Sequence, residues 1–171
     1  MRLRTTGSAA FAALLLAVPA AHAGTNSIYP VAGTGTAGSL GDGDLATLAQ
    51  LNDPGGTAVV SSGPYKGILI ADAVNNRVRR VAPNGNISTV AGTGVAGFSG
   101  DNGAATSAQL AFPTDVDALP GGAFLIADNT NHVVRRVSTA GVITRVAGTG
   151  VAGYSGDGGP AVNAQVQPLS I

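Results

Sequence analysis

The feature that most constrains this chain is a stretch of twelve residues that occurs three times, as Val31–Asp42, Val90–Asp101 and Val146–Asp157. All three copies read Val-Ala-Gly-Thr-Gly-x-Ala-Gly-x-x-Gly-Asp. Each continues to Ala-x-x-Ala-Gln and an aliphatic residue at Leu51, Leu110 or Val166. The copies start 59 and then 56 residues apart. Self-similarity at a near-constant period marks a repeat architecture, in which each unit buries its apolar surface against the next.

The text between the copies repeats as well. Pro54 matches Pro113, and Gly67–Asp72 (Gly-Ile-Leu-Ile-Ala-Asp) matches Ala123–Asp128 (Ala-Phe-Leu-Ile-Ala-Asp). Arg77–Val81 matches Val133–Val137, and Asn86–Val90 matches Val142–Val146. The units differ in length only at one turn, Ser61–Lys66 against Leu119–Gly122. Repeat units are therefore expected at about 31–89 and 90–145, with an incomplete third at 146–171.

The apolar segments are short, rich in Val and Ile, and bounded by Gly, Pro, Asn or Asp. That is strand composition, and no stripe of period 3.6 is long enough for an ordinary helix. Strands are expected at Thr57–Val60, Ile68–Ala71, Arg77–Val81 and Ile87–Ala91. In the second unit they are expected at Asp115–Leu119, Phe124–Ala127, Val133–Val137 and Ile143–Ala147. Four short antiparallel strands per unit predict an all-β fold, a partial β-propeller of about two blades. The Ile-Leu-Ile-Ala run lacks polar alternation because both faces of such a sheet pack on neighbours. Ser27–Ala32 has the sequence of an N-terminal outer strand, but the three strands that would complete its blade are missing. The two open ends predict self-association or completion by another chain.

Residues 1–23 read as a secretory signal peptide: Arg2 and Arg4, an apolar run from Ala9 to Val18, then Ala21-His22-Ala23. The apolar run is too short to span a bilayer, so no stable membrane insertion is expected after cleavage. The rest, 24–171, holds Lys66 and six arginines against nine aspartates and no glutamate, a net charge of −2. Without clustered positive charge, nucleic acid is not an expected partner. There is no cysteine, so a secreted or periplasmic chain is stabilised here without disulfides.

Catalytic, cofactor and metal motifs find little support. Gly92–Gly97 formally matches Gly-x-Gly-x-x-Gly, but no helix opens there and the match recurs in every unit, so it reads as a connecting loop. Asp42, Asp101 and Asp157 offer one recurring carboxylate per loop, with Asp44 added in the first, against the six to eight oxygens calcium takes. An Asx-type turn, with the carboxylate accepting from backbone N–H groups two residues on, is the expectation there. His132 is the only histidine after the leader, and its counterpart is Asn76; it reads as a polar turn residue. If a hairpin sets Asp72 opposite Arg77, Arg79 lies one diagonal step away on the same face. Asp72 with Arg79, and Asp128 with Arg135, are thus expected as structural carboxylate–arginine pairs held between blades.

Ile70-Ala-Asp-x-x-Asn75-Asn-Arg-Val-Arg-Arg80 and Ile126-Ala-Asp-x-x-Asn131-His-Val-Val-Arg-Arg136 resemble NHL repeats, whose Asn-His-Leu run is matched by Asn131-His132-Val133. The Gly-Thr-Gly and Ser-Gly-Asp-Gly-Gly links are similar to those of bacterial secreted NHL proteins with long blades. The resemblance implies a β-propeller, in a family whose members bind proteins or RNA and include a few lyases. The expected function is a secreted, non-enzymatic module that binds a protein or glycan. The alternatives are a remnant without activity of its own, or part of a propeller lyase or lactonase with catalytic residues elsewhere.

Protein recovered from medium or periplasm should begin at Gly24. Intact mass checks this, and a membrane-held species retaining residues 1–23 would refute the leader.

Overall fold

The computed structural model describes residues 28–171; the leader at 1–23 and Ser27 lie outside the described residues. The chain forms two four-stranded antiparallel sheets in simple up-and-down order. The first holds β1 (Pro54–Val60), β2 (Gly67–Asp72), β3 (Arg77–Val81) and β4 (Ile87–Ala91). The second holds β5 (Pro113–Ala118), β6 (Phe124–Asp128), β7 (Val133–Val137) and β8 (Ile143–Ala147). Each sheet is one blade of a partial β-propeller, and β5 packs against β1 and β2 so that the inner strands run side by side.

Local chemistry explains the turns. Asn76 and His132 close the second hairpin of each blade at φ 51°, a left-handed conformation that Asn and His enter more readily than most residues. Gly85 and Gly141 close the third hairpin at φ 86° and 80°. The inner strands begin earlier than their Val-rich cores indicate, at Pro54 and Pro113. The prolines are followed by Gly55 and Gly56 or by Thr114 and Asp115, at a register shift. Gly55 and Gly56 are required by the neighbouring blade, because a Cβ on either would collide with Thr114 or Asp115.

The main core lies between the blades. Ala58, Val60, Leu69, Ala71 and Val78 of the first blade meet Val116, Phe124, Ile126, Val137 and Ile143 of the second, with Ala105, Ala108 and Leu110 closing the edge. Position in the array decides burial. Leu69 and Val78 are fully buried, whereas their counterparts Leu125 and Val134 are half-buried because no sheet among the described residues covers that side of the second blade. The opposite side of the first blade is partly open too. There Val31, Leu51, Thr57, Ile68 and Ile70 line a shallow apolar groove of about 400 Å³, where the second blade has its neighbour.

The N-terminal outer strand does not form among the described residues: Ile28–Ala32 belongs to no sheet, and Ile28 is exposed. A strand exists through the ladder it joins, and among the described residues no strand lies beside this segment to pair with it. Only Ala32 packs, against the edge of the first blade.

Candidate functional site

Each repeated Gly-rich stretch folds as a loop, and the first two each enter a blade and clamp it. The three loops are 33–51, 92–110 and 148–166. In the first, the N–H groups of Gly33 and Thr34 donate to the carbonyls of Ala46 and Ala49, both at 2.9 Å. Gly92 and Thr93 repeat this with Ala105 and Ala108, also at 2.9 Å. Short 3-10 turns at Ala46–Leu48, Ala105–Ser107 and Ala161–Asn163 present those carbonyls. The loop then pairs with the outer strand of the blade it enters. The N–H of Gly43 donates to Ile87 O at 2.8 Å, and that of Ile87 donates to Asp44 O at 2.9 Å. Asn102, Ile143 and Gly103 form the matching pair at 2.7 and 3.0 Å.

A buried arginine lies beneath each of the first two loops. In the β2–β3 ladder Asp72 faces Arg77 and Ile70 faces Arg79, which puts the Arg79 side chain on the Asp72 face. Arg79 Nη1 is 3.4 Å from Asp72 Oδ2, with both side chains fully buried. Its Nη2 lies 2.8 Å from Asp42 Oδ1 in the loop, and its Nη1 donates to Gln50 O at 3.4 Å. Arg135 does the same with shorter bonds: Asp101 Oδ1 at 2.7 Å, Gln109 O at 2.8 Å and Ser99 O at 2.9 Å. Asp128 Oδ2 is 3.6 Å from its Nη1. The guanidinium of Arg135 also stacks 5.2 Å from the Phe98 ring centre, where the first loop carries Ser39.

The carboxylates of Asp72 and Asp128 tie the rest together. Asp72 accepts from the Asn52 N–H at 2.8 Å and from Asn75 Nδ2 at 2.8 and 2.9 Å. Asn75 Nδ2 also donates to Gly38 O at 2.7 Å. Asp128 accepts from the Ala111 N–H and from Asn131 Nδ2, both at 2.8 Å. Asn131 donates onward to Gly97 O at 2.8 Å. Burial raises the Asp128 carboxyl to about 6, although the Ala111 amide, Asn131 and Arg135 pull it down.

Two sequence expectations change. The carboxylates of Asp42 and Asp101 are not taken up in Asx turns, because each meets an arginine more than thirty residues away in the chain. Asp42 Oδ2 also accepts from the Thr89 hydroxyl at 2.6 Å. The arginine pairs lie between a blade and its entry loop, not between two blades, since the loop spans the face that carries them. Asn75 and Asn131, quoted above as part of the repeat motif but given no role, are members of this network. Their signal was the spacing Asp-x-x-Asn, which places the amide within reach of the carboxylate across one tight turn.

His132 occupies its turn as Asn76 does, but the two side chains end differently. Asn76 Oδ1 accepts from the Phe112 N–H at 2.9 Å. His132 Nδ1 is buried with no hydrogen-bond partner among the described residues. The residue equivalent to Phe112 is Pro168, which has no N–H to donate. Among the described residues no cluster of three or more His, Cys, Asp or Glu could hold a metal ion, and no helix is long and apolar enough to cross a membrane.

No protein-family model and no curated protein matches this chain. Among solved structures it is similar to a protein of unknown function from Bacteroides thetaiotaomicron VPI-5482, at 23% identity and a TM-score of 0.55 over 62% of this chain and 27% of that one. It is also similar to a candidate phosphatase from the same organism, at 24% identity and a TM-score of 0.51 over 67% of this chain and 26% of that one. The chain thus spans about a quarter of either protein, and the likeness shows the fold alone.

Two predictions follow from this geometry. Arg79→Ala or Arg135→Ala leaves a buried carboxylate uncompensated, and chemical denaturation should show a loss of about 3–5 kcal/mol; Lys should rescue little, having no planar fork to reach several acceptors. The second prediction concerns pH. With a folded pKa near 6 against an ordinary 3.8, the native state binds more protons than the unfolded chain between those values. The contribution of Asp128 is therefore fully present below about pH 3.8 and is lost as pH rises through about 6, on the order of 3 kcal/mol. Measured from pH 4 to pH 7, Asp128→Asn should gain on the wild type by that amount.

Proposed function

We propose that this chain is an exported, non-catalytic propeller module of the NHL type that binds a protein or a glycan through the face formed by its entry loops. The observation that carries this reading is the placement of apolar side chains on those loops. Val95 and Val151 occupy equivalent positions and are 59% and 55% exposed. Phe98 and Tyr154 are also equivalent, and Tyr154 is 89% exposed. Phe98 also packs on the Arg135 guanidinium, but a fold that uses its Val and Ile for sheet packing has no structural need for Val95, Val151 and Tyr154 in solvent. Repeated exposed apolar groups beside an aromatic ring are the usual material of a contact surface, whether for protein side chains or for the flat face of a sugar. The recurring polar residues, by contrast, are already committed: Asp72, Asn75 and Arg79, like Asp128, Asn131 and Arg135, direct their bonds to holding loop and blade together.

The test is to screen the purified chain against a glycan array and a displayed peptide library. The expected result is a ligand whose affinity falls at least tenfold, about 1.4 kcal/mol, in Val95→Ser/Val151→Ser/Tyr154→Ser but not in Arg136→Ala, an exposed residue away from the loops. A ligand indifferent to the triple variant would overturn the assignment of the surface. Turnover of phosphate esters or lactones by the purified chain would overturn the non-catalytic reading.

A further inference from the structure

One seam of the molecule carries side chains that the repeat does not. It lies where the β2–β3 turn of the first blade meets loop 92–110 and the start of β5. The Phe112 N–H donates to Asn76 Oδ1 at 2.9 Å, and Asn76 Nδ2 donates to Val74 O at 3.2 Å. Arg77 Nη2 donates to Thr93 O at 3.1 Å, and the Val95 N–H donates to the Thr93 hydroxyl at 3.3 Å. Gly92 and Gly94 lie so close to Asn76 and Arg77 that a Cβ on either would collide. These contacts gather Val74, Val95 and Phe112, all exposed, around Asn76, with Arg77 at the edge. One repeat later the same positions hold Thr130, Val151, Pro168, His132 and Val133. One repeat earlier, Val95 and Phe112 correspond to Thr36 and Asp53. Three apolar side chains and a cation coincide at this seam alone among the described residues.

The backbone at Phe112 is strained. It is held at φ 52°, where a bulky side chain is an outlier, and it precedes Pro113, which favours extended backbone in the residue before it. Its counterpart Asp53 has φ 53°, but aspartate tolerates that region. Phe112 belongs to neither core cluster, so core packing does not offset the strain. Strain of this kind gathers where a side chain is presented for use.

The Arg77 charge is unmatched as well. Among the described residues every ion pair belongs to Arg79 or Arg135, and Arg77 Nε is buried without an acceptor. Most of the other polar groups at the seam are engaged: both ends of the Asn76 amide, the Thr93 hydroxyl and the Thr93 carbonyl. Sugar hydroxyls covered here would lose water without gaining partners. An apolar peptide side chain loses nothing of the kind, and a carboxylate beside it would meet the free charge.

We propose that the seam of Val74, Val95 and Phe112 is a docking site for a peptide segment of a partner protein. The segment seats an apolar side chain on these three residues and sets a neighbouring carboxylate on Arg77. This rests on the reading of the loop face as a binding surface, and adds the place on that face and the class of occupant.

A phage-displayed library of random peptides is selected on the purified chain, and the enriched peptides are synthesised for titration. They should share an apolar residue beside Asp or Glu. Phe112→Asn/Val95→Thr, which keeps a residue suited to positive φ at 112 and copies Thr36 at 95, should weaken binding about tenfold or more. Arg77→Gln should weaken binding of the acidic peptide and leave its amide version unchanged, the coupling expected of a direct charge pair. Val151→Ser/Tyr154→Ser, outside the seam, should leave both affinities as they were. Tm should stay within about 2 °C of the wild type in every seam variant; a larger fall would mark these side chains as packing groups and overturn the proposal. Peptides that lose binding in Val151→Ser/Tyr154→Ser but keep it in Phe112→Asn/Val95→Thr would leave the loop face as a binding surface and overturn the seam. Enrichment of no peptide, with glycans bound instead, would overturn the class of occupant. Binding of neither would remove the loop-face reading along with it.

Discussion

The structure depends on a guanidinium with almost no water to solvate it. Arg79 and Arg135 are the largest fully buried side chains among the described residues, and each brings together a loop carboxylate, loop carbonyl oxygens and a blade carboxylate. Burying a charge is costly unless its partners are placed well, so the arrangement makes loop and blade mutually necessary. Without the arginine the loop carboxylate has no anchor. Without the loop, the face of the blade that carries the arginine would be bare. A Gly-rich segment with few side chains of its own can hold one conformation because its backbone is bonded on two sides, internally to its 3-10 turn and externally to the outer strand.

This explains why the glycines recur at fixed positions. Gly41, Gly100 and Gly156 all have positive φ and lie against the backbone of Ala49, Ala108 and Ala164, where a Cβ would collide. The loop is narrow because two backbone segments approach without side chains between them, and that narrowness lets the aspartate one residue later reach the arginine. Conformational freedom lost at glycine is offset by the bonds the close approach permits.

The molecule also shows how much a repeat owes to its neighbours. Leu69 and Leu125 occupy the same site in nearly the same sequence, and one is sealed while the other is half-buried. The third loop keeps the Gly148–Ala161 and Gln165–Ser155 bonds without a blade against it among the described residues, so part of the loop geometry is set locally. His132 and Asn76 make the point at atomic scale. One turn, one backbone conformation and two side chains differ in satisfaction because Phe112 has an N–H where Pro168 has none.

Much of this was legible in the residues. Three copies of the Gly-rich stretch, a constant offset and short Val/Ile runs determine two four-stranded blades, since those patterns suit no helix and only tight turns. The approach of Asp72 to Arg79 is legible too, because the two-residue period of a hairpin puts them on one face. The destination of Asp42 and Asp101 was not. Turn chemistry within a few residues is the natural reading of Gly-Asp-Gly, and nothing local announces an arginine delivered from another strand more than thirty positions on. Nor could Ile28–Ala32 be judged from composition, because its sequence suits a strand while a ladder needs a partner. The sequence by itself determined the repeat, its strands and its hairpin pairs, all governed by short-range periodicity. Tertiary structure alone decided which carboxylate meets which charge and which faces are sealed, because those depend on what folds against what.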